Sequence, residues 1–288
     1  MKKYSLIIIL VIVIALGFLT VKLFSKDNKV QTVVQTNGTY IALGDSVAAG
    51  IGLGDYTDSS ACDRTIHAYP NAVATALNYK LQSVACSGAT TQNGLIGTQV
   101  VNKLAIEPQL NSLLSGTKPN LISMTIGAND ANWTSFIQKC YTGNCGSDAD
   151  TNAVNAGVAA ATTNLINVFS QIQSTYPTET PRVVITGYYK LFPASPKANC
   201  TELVGIDQQE LKWITTLQNT IDESLKSAAS AYDFVTYVPI DFSGHELCTA
   251  SPWIQGLSDK APYHPTLDGQ AAIANQIVTA LKTNGAIK

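Results

Sequence analysis

Charge is scarce in this chain: Asp, Glu, Lys and Arg make up only 13% of its 288 residues, and 18 basic side chains nearly cancel 20 acidic ones. That balance offers no electrostatic argument for binding nucleic acid or an anionic lipid surface. Cys-x-x-Cys pairs are absent, which removes the usual spacing of a structural zinc site. Histidine is confined to His67, His245 and His264, so chemistry that needs an imidazole has few candidates. Asp45 and Asp130 have no neighbouring cluster of His or Glu in the sequence and make a poor metal site.

The N-terminal segment is the exception to this mixed composition. Lys2 and Lys3 precede an apolar run from Tyr4 to Val21, followed by Lys22 and Lys26. Residues 1–25 therefore read as a signal peptide or an uncleaved membrane anchor. The anchor is favoured, because the run is nearly long enough to span and no Ala-x-Ala site follows it. No cysteine stands near its end, which argues against a lipoprotein. With the lysines inside, the remainder is exported. Residues 26–37 are polar and read as a linker, leaving 38–288 as a single domain long enough for a substantial core.

Six cysteines, Cys62, Cys86, Cys140, Cys145, Cys200 and Cys248, lie in that domain. An even number in an exported chain favours disulfides. Chain order would join Cys62 to Cys86, Cys140 to Cys145 and Cys200 to Cys248, although six cysteines allow many other pairings.

Short β-branched stretches recur at Thr39 to Leu43, Leu81 to Ala85, Leu121 to Ile126, Arg182 to Thr186 and Phe234 to Pro239. Helical patterns separate them at Tyr69 to Leu77, Val100 to Leu114, Ala153 to Gln173 and Gly205 to Ser230, and a last one begins near Thr266. This alternation predicts an α/β fold with a five-stranded parallel sheet between helical layers. Ligands bind such sheets at the carboxyl ends of the strands. There the sequence places Gly44-Asp45-Ser46 after the first strand, Cys86-Ser87-Gly88 after the second and Gly127-Ala128-Asn129-Asp130 after the third. The loops 55–67, 133–150 and 190–205 are expected to shape any pocket above them.

These turns contain what acyl transfer to water requires. Ser46 supplies a hydroxyl at a strand-to-helix turn, and its own N–H, with that of Gly88, can point at a developing oxyanion. Asn129 adds a side-chain amide donor. His264, in Pro262-Tyr263-His264-Pro265, precedes the last helix and is the candidate base. His245 reads as ordering a loop beside a disulfide, and His67 as a capping or surface residue. Taken singly, Ser46 could be a helix N-cap, Asn129 and Asp130 an Asx-turn, and His264 a surface residue. Trp133, Trp213, Trp253, Tyr188 and Tyr189 could each line a pocket or pack a core.

Gly-Asp-Ser, an isolated Gly, Gly-x-Asn-Asp and His-Pro, in this order from Gly44 to Pro265, resemble the SGNH hydrolases, the GDSL family of lipases and esterases. The resemblance implies a flavodoxin-like three-layer α/β/α sandwich and a serine ester hydrolase acting as a monomer on small-molecule or lipid esters, without metal or cofactor. It implies Ser46 as nucleophile, Ser46, Gly88 and Asn129 as oxyanion donors, and His264 as base. Gly244-His245-Glu246-Leu247-Cys248 and Pro252-Trp253-Ile254 are similar to stretches in secreted three-disulfide actinobacterial members, which supports the chain-order disulfides. One departure concerns the position three residues before His264, where many members have Asp and this chain has Ala261. A carbonyl from Ala261 or a neighbour would then orient the imidazole, with Asp259 as the alternative. Two other functions remain open at this point: a carbohydrate O-acetylesterase of the same family, and a membrane-tethered binding domain without turnover.

Overall fold

The chain enters its first strand, β1 (Gly38–Gly44), with alternating side chains that serve two cores. Tyr40 and Ala42 join one buried cluster, and Ile41 and Leu43 join the other. This period of two is what a strand covered on both faces produces. The computed structural model describes residues 37–57, 61–114, 118–196 and 199–285. The expected leader (1–25), and the expected linker (26–37) except for its last residue, fall outside the described residues.

The elements that follow are α1 (Ser46–Ala49), α2 (Tyr69–Leu77), β2 (Tyr79–Ser83), β3 (Gln99–Val101), β4 (Leu104–Ile106), α3 (Asn111–Leu114), β5 (Leu121–Thr125), α4 (Trp133–Tyr141), α5 (Asp148–Thr175), β6 (Arg182–Thr186), α6 (Gln208–Ser230), β7 (Val235–Val238) and α7 (Leu267–Thr283). The main sheet has five parallel strands in the order β2-β1-β5-β6-β7. Helices α2 and α7 pack on the face that carries Tyr40, while α5 and α6 cover the face that carries Leu43. The result is a doubly wound three-layer sandwich. Its strand order reverses between β1 and β5, the crevice where such sheets hold ligands. Among the described residues, no helix is long and apolar enough to cross a membrane.

The segment from Val100 to Leu114, read above as a helix, is a β3/β4 hairpin followed by the single turn of α3. Asn102 and Lys103 both have positive φ, 50° and 67°, the backbone of a tight two-residue hairpin turn. Apolar residues at positions 100, 104, 110 and 114 imitate a helical period, but Pro108 denies a continuous helix there. Helix α4 occupies part of the expected 133–150 loop. Helix α5 starts earlier than expected because Ser147 and Asp150 form a reciprocal capping box. Strand β2 lies two residues before its expected position.

Disulfides join Cys62 to Cys86, Cys140 to Cys145 and Cys200 to Cys248, with Cα separations of 4.2, 4.7 and 5.3 Å. The first fastens the 61–68 segment to the end of the β2 connection, next to the Gly88 turn. Its position therefore bears on the site as well as on stability.

Candidate active site

At the end of β1 the backbone turns with φ +130° at Gly44, where a Cβ would come within 2.3 Å of the Thr125 carbonyl oxygen. Only glycine fits that approach. Buried Gln109 reinforces the corner, accepting from the Gly44 N–H at 2.7 Å and donating to its carbonyl at 2.9 Å. Asp45 is the N-cap of α1, its Oδ1 accepting from the Val47 N–H at 2.9 Å. Ser46 is therefore the first helical residue rather than the cap. Its N–H is one of the donors that a helix start leaves without an intrahelical partner. Among the described residues nothing else takes it up.

The loop before α7 brings His264 to Ser46 across 218 residues of chain, with Nε2 2.8 Å from the serine Oγ. Its Nδ1 lies 3.0 Å from the Pro262 carbonyl oxygen. A carbonyl only accepts, so Nδ1 carries the proton and Nε2 presents a lone pair to the serine hydroxyl. Burial holds the imidazole below its usual pKa of 6.5, against backbone hydrogen bonds to Pro262 and Ala261 that favour the cation. Both ring nitrogens are thus occupied without a carboxylate. Asp259, the alternative considered above, does not reach the ring, because its Oδ2 accepts the Gly256 N–H at 2.7 Å within its own exposed loop. The Ala261 carbonyl accepts the backbone N–H of His264 at 3.2 Å and, like Pro262, favours the imidazolium.

The turns after β2 and β5 are tied together, and Asn129 lines one cleft with Ser46 and His264, whereas Gly88 is not part of that lining. One amide hydrogen of Asn129 is used by Nδ2 on the Ala89 carbonyl at 2.9 Å. The side-chain amide has two, so the second remains available. Gly88 sits on an exposed turn with φ +78°, and among the described residues its N–H has no acceptor. Asp130 accepts from the Thr91 N–H at 3.1 and 3.0 Å and from its hydroxyl at 2.5 Å, which fixes the chain just after Asn129. Tyr188 then links two turns, donating to Asp45 Oδ2 at 2.5 Å and accepting from the Ala128 N–H at 3.1 Å.

This geometry agrees with the similarities of the chain to known proteins. The GDSL-like Lipase/Acylhydrolase family model matches residues 42–272. The chain belongs to this family. It is 32% identical over 240 residues to "Lipase 1" of Streptomyces coelicolor, covering 81% of this chain and 82% of that one. A "Lipase" of Streptomyces rimosus is 30% identical over 250 residues, covering 81% and 82%. Among solved structures, an extracellular lipase from Streptomyces rimosus superposes with a TM-score of 0.66 at 26% identity, covering 85% of this chain and all 100% of that one. Phospholipase A1 from Streptomyces albidoflavus gives 0.64 at 28%, covering 84% and 99%. The protein is a carboxylic ester hydrolase of the GDSL type.

In this GDSL hydrolase a cleft partly open to solvent lies over Ser46 and His264. Trp133, Leu191, Ile221 and Tyr263 give it apolar walls, and Asn129 and Tyr188 add polar groups. Apolar lining with a few convergent polar groups is the usual character of a small-molecule site. Tyr189 also lines it and donates to the Tyr263 carbonyl at 2.7 Å. Trp213 and Trp253 instead make packing contacts, edge-to-face with Phe136 and with Phe242 respectively, and Trp253 also stacks on His245. His245 also meets the Ser251 carbonyl at 2.8 Å, and His67 pairs with Asp55 at 2.9 Å. Neither reaches the cleft. Among the described residues no group of three His, Cys, Asp or Glu could hold a metal. Sequence reading left open which carbonyl near Ala261 would meet His264, and it missed the Tyr188 and Gln109 bridges. They become visible only once distant turns share one sheet edge.

Proposed function

We propose that the protein is an exported lipase or esterase that works through an acyl-enzyme on Ser46. The Ser46–His264–Pro262 relay, with contacts of 2.8 and 3.0 Å, is the observation that carries this reading. As Ser46 Oγ attacks the ester carbonyl, its proton passes to Nε2 of His264. The carbonyl π electrons move to oxygen, and the N–H groups of Ser46 and Gly88 with the free Asn129 hydrogen hold the resulting oxyanion. Collapse breaks the bond to the alcohol oxygen, which leaves with the proton from the imidazolium. Water then gives a proton to neutral His264 and attacks the acyl-enzyme, and the carboxylic acid departs as Ser46 regains its proton. No step needs a metal or cofactor.

The Pro262 carbonyl does part of what a carboxylate would do. It selects the tautomer and direction of the ring and stabilises the imidazolium through its dipole. Export is supported by three disulfides, which persist in oxidising compartments, and by the extracellular Streptomyces rimosus relative. Lipid or short-chain esters are the substrate class, supported by the cleft's apolar walls and by relatives named lipase and phospholipase A1. Turnover on p-nitrophenyl acetate, p-nitrophenyl laurate, a phosphatidylcholine dispersion and acetylated xylan tests this. Activity on the nitrophenyl or phospholipid esters that disappears in Ser46→Ala and His264→Ala is expected. Turnover confined to acetylated xylan would overturn the substrate class, and full activity in Ser46→Ala would overturn the mechanism.

A further inference from the structure

The peptide joining Ser87 to Gly88 carries the Gly88 N–H at one end and the Ser87 carbonyl at the other. Gln99, on β3, donates from Nε2 to that carbonyl at 2.8 Å. The described peptide bonds are all trans, so the Gly88 N–H points in the opposite sense, away from Gln99. Neighbouring peptides have their own tethers. Ser87 N–H donates to the Cys62 carbonyl at 3.1 Å, Ala89 N–H to the Cys86 carbonyl at 3.0 Å, and the Ala89 carbonyl accepts from Asn129. Among the described residues, Gln99 is what holds the Ser87 carbonyl.

A glycine in a turn with positive φ gives that peptide an inexpensive way to rotate, since both senses of the turn are open to it. Rotation would carry the Gly88 N–H out of alignment. A side-chain donor on the carbonyl opposes it.

The rest of the Gln99 environment points the same way. The residue is only 7% exposed, and its Oε1 is the single buried side-chain polar atom without a partner among the described residues. Turning the amide over would set Oε1 against the Ser87 oxygen, an encounter of two acceptors. An apolar side chain of equal length would spare the unpaired Oε1 but would leave the Ser87 carbonyl without its donor, so the bond to that carbonyl is what the amide supplies here. We infer that Gln99 is a positioning residue for the oxyanion donor, locking the Ser87–Gly88 peptide so that the Gly88 N–H stays aimed at the developing charge. The inference rests on the Ser46 reading above and extends it to a residue outside the cleft. The β3/β4 hairpin acquires a role as the support that carries Gln99 to this turn.

Gln99→Met keeps length and removes both polar groups, and Gln99→Glu keeps shape and removes the donor. Active sites are counted in each soluble variant by fluorophosphonate titration, and kcat is expressed per titrated site. We expect kcat per site to fall roughly 10- to 100-fold, with KM within about twofold. Affinity for an alkyl boronic acid, whose adduct on serine is tetrahedral and anionic, falls in step. A merely structural role would lower Tm and the number of sites while leaving kcat per site and boronate affinity unchanged. That result in either variant, with the parent protein labelled at Ser46, overturns the role of Gln99 alone. A parent protein that takes up no fluorophosphonate overturns the Ser46 reading, and this inference with it.

Discussion

Replacing Asp45 by Asn removes a titrating proton from the base of the site while leaving an oxygen to cap α1. Asp45 is 1% exposed, and burial raises its carboxyl from 3.8 to about 7 against the opposing hydrogen bonds from Tyr188 and Val47. Between those two values the folded chain holds a proton that the unfolded chain has released, so stability falls as pH rises from about 4 to about 7 and then levels. At about 1.4 kcal/mol per pH unit, the ionised group costs on the order of 4 kcal/mol at pH 8 relative to pH 4. Asparagine stays neutral throughout. Urea unfolding of parent and Asp45→Asn at pH 4 and pH 8 measures the difference directly. The variant should gain on the parent by about 2–4 kcal/mol across that interval, whatever its offset at pH 4. Asp222, also raised to about 7 by burial, is present in both proteins and cancels. A gap that changes by less than about 0.5 kcal/mol would show that Asp45 is not a buried neutral carboxyl, and the reasoning would fail.

Other consequences concern turnover. Because burial lowers the His264 pKa and the proposed mechanism uses the neutral ring as base, the acid limb of kcat/KM should have its midpoint below 6.5; a midpoint above 7 in a pH-rate profile would contradict this. Asn129→Ala removes the proposed oxyanion donor and its tie to Ala89, so kcat should fall roughly 100- to 1,000-fold, ~3–4 kcal/mol of barrier, with little change in KM. Steady-state kinetics showing a rise in KM alone would oppose that role. Asp259→Asn should leave kcat within about twofold, since its carboxylate is engaged by Gly256; a loss of several hundredfold would restore Asp259 as the partner of His264.

The parts of the fold that could be read from residues are those in which one local pattern had one outcome. Leu121 to Thr125 is continuously apolar or small and lies in the fully buried centre of the sheet. Ser46 could be placed because a short β-branched run ends immediately before Gly44-Asp45-Ser46, and the structure adds that Gly44 permits a turn other residues would strain. Where two patterns overlapped, propensity chose wrongly. Residues 100–114 carry a helix-like apolar spacing, yet the β-branched pair Val100-Val101 and Pro108 favour the hairpin and a break, and those signals were present in the sequence. The relay beyond His264 was less accessible. Ala261 announces a missing carboxylate, but which carbonyl replaces it depends on the backbone of a loop whose Tyr263 has φ +70°. Gln99, Gln109 and Tyr188 were hidden for a similar reason. Each bonds a turn at least 12 residues away, and a neutral polar side chain gives no periodic signal of where it will dock.

The central claim is that Ser46 reacts and that His264 makes it do so. Peptide mass mapping after incubation with a fluorophosphonate tests both at once. A single adduct on Ser46 in the parent protein, absent from Ser46→Ala and slowed at least about 100-fold in His264→Ala, is the predicted result. An adduct on another residue, or an active enzyme with Ser46 unmodified, would contradict it.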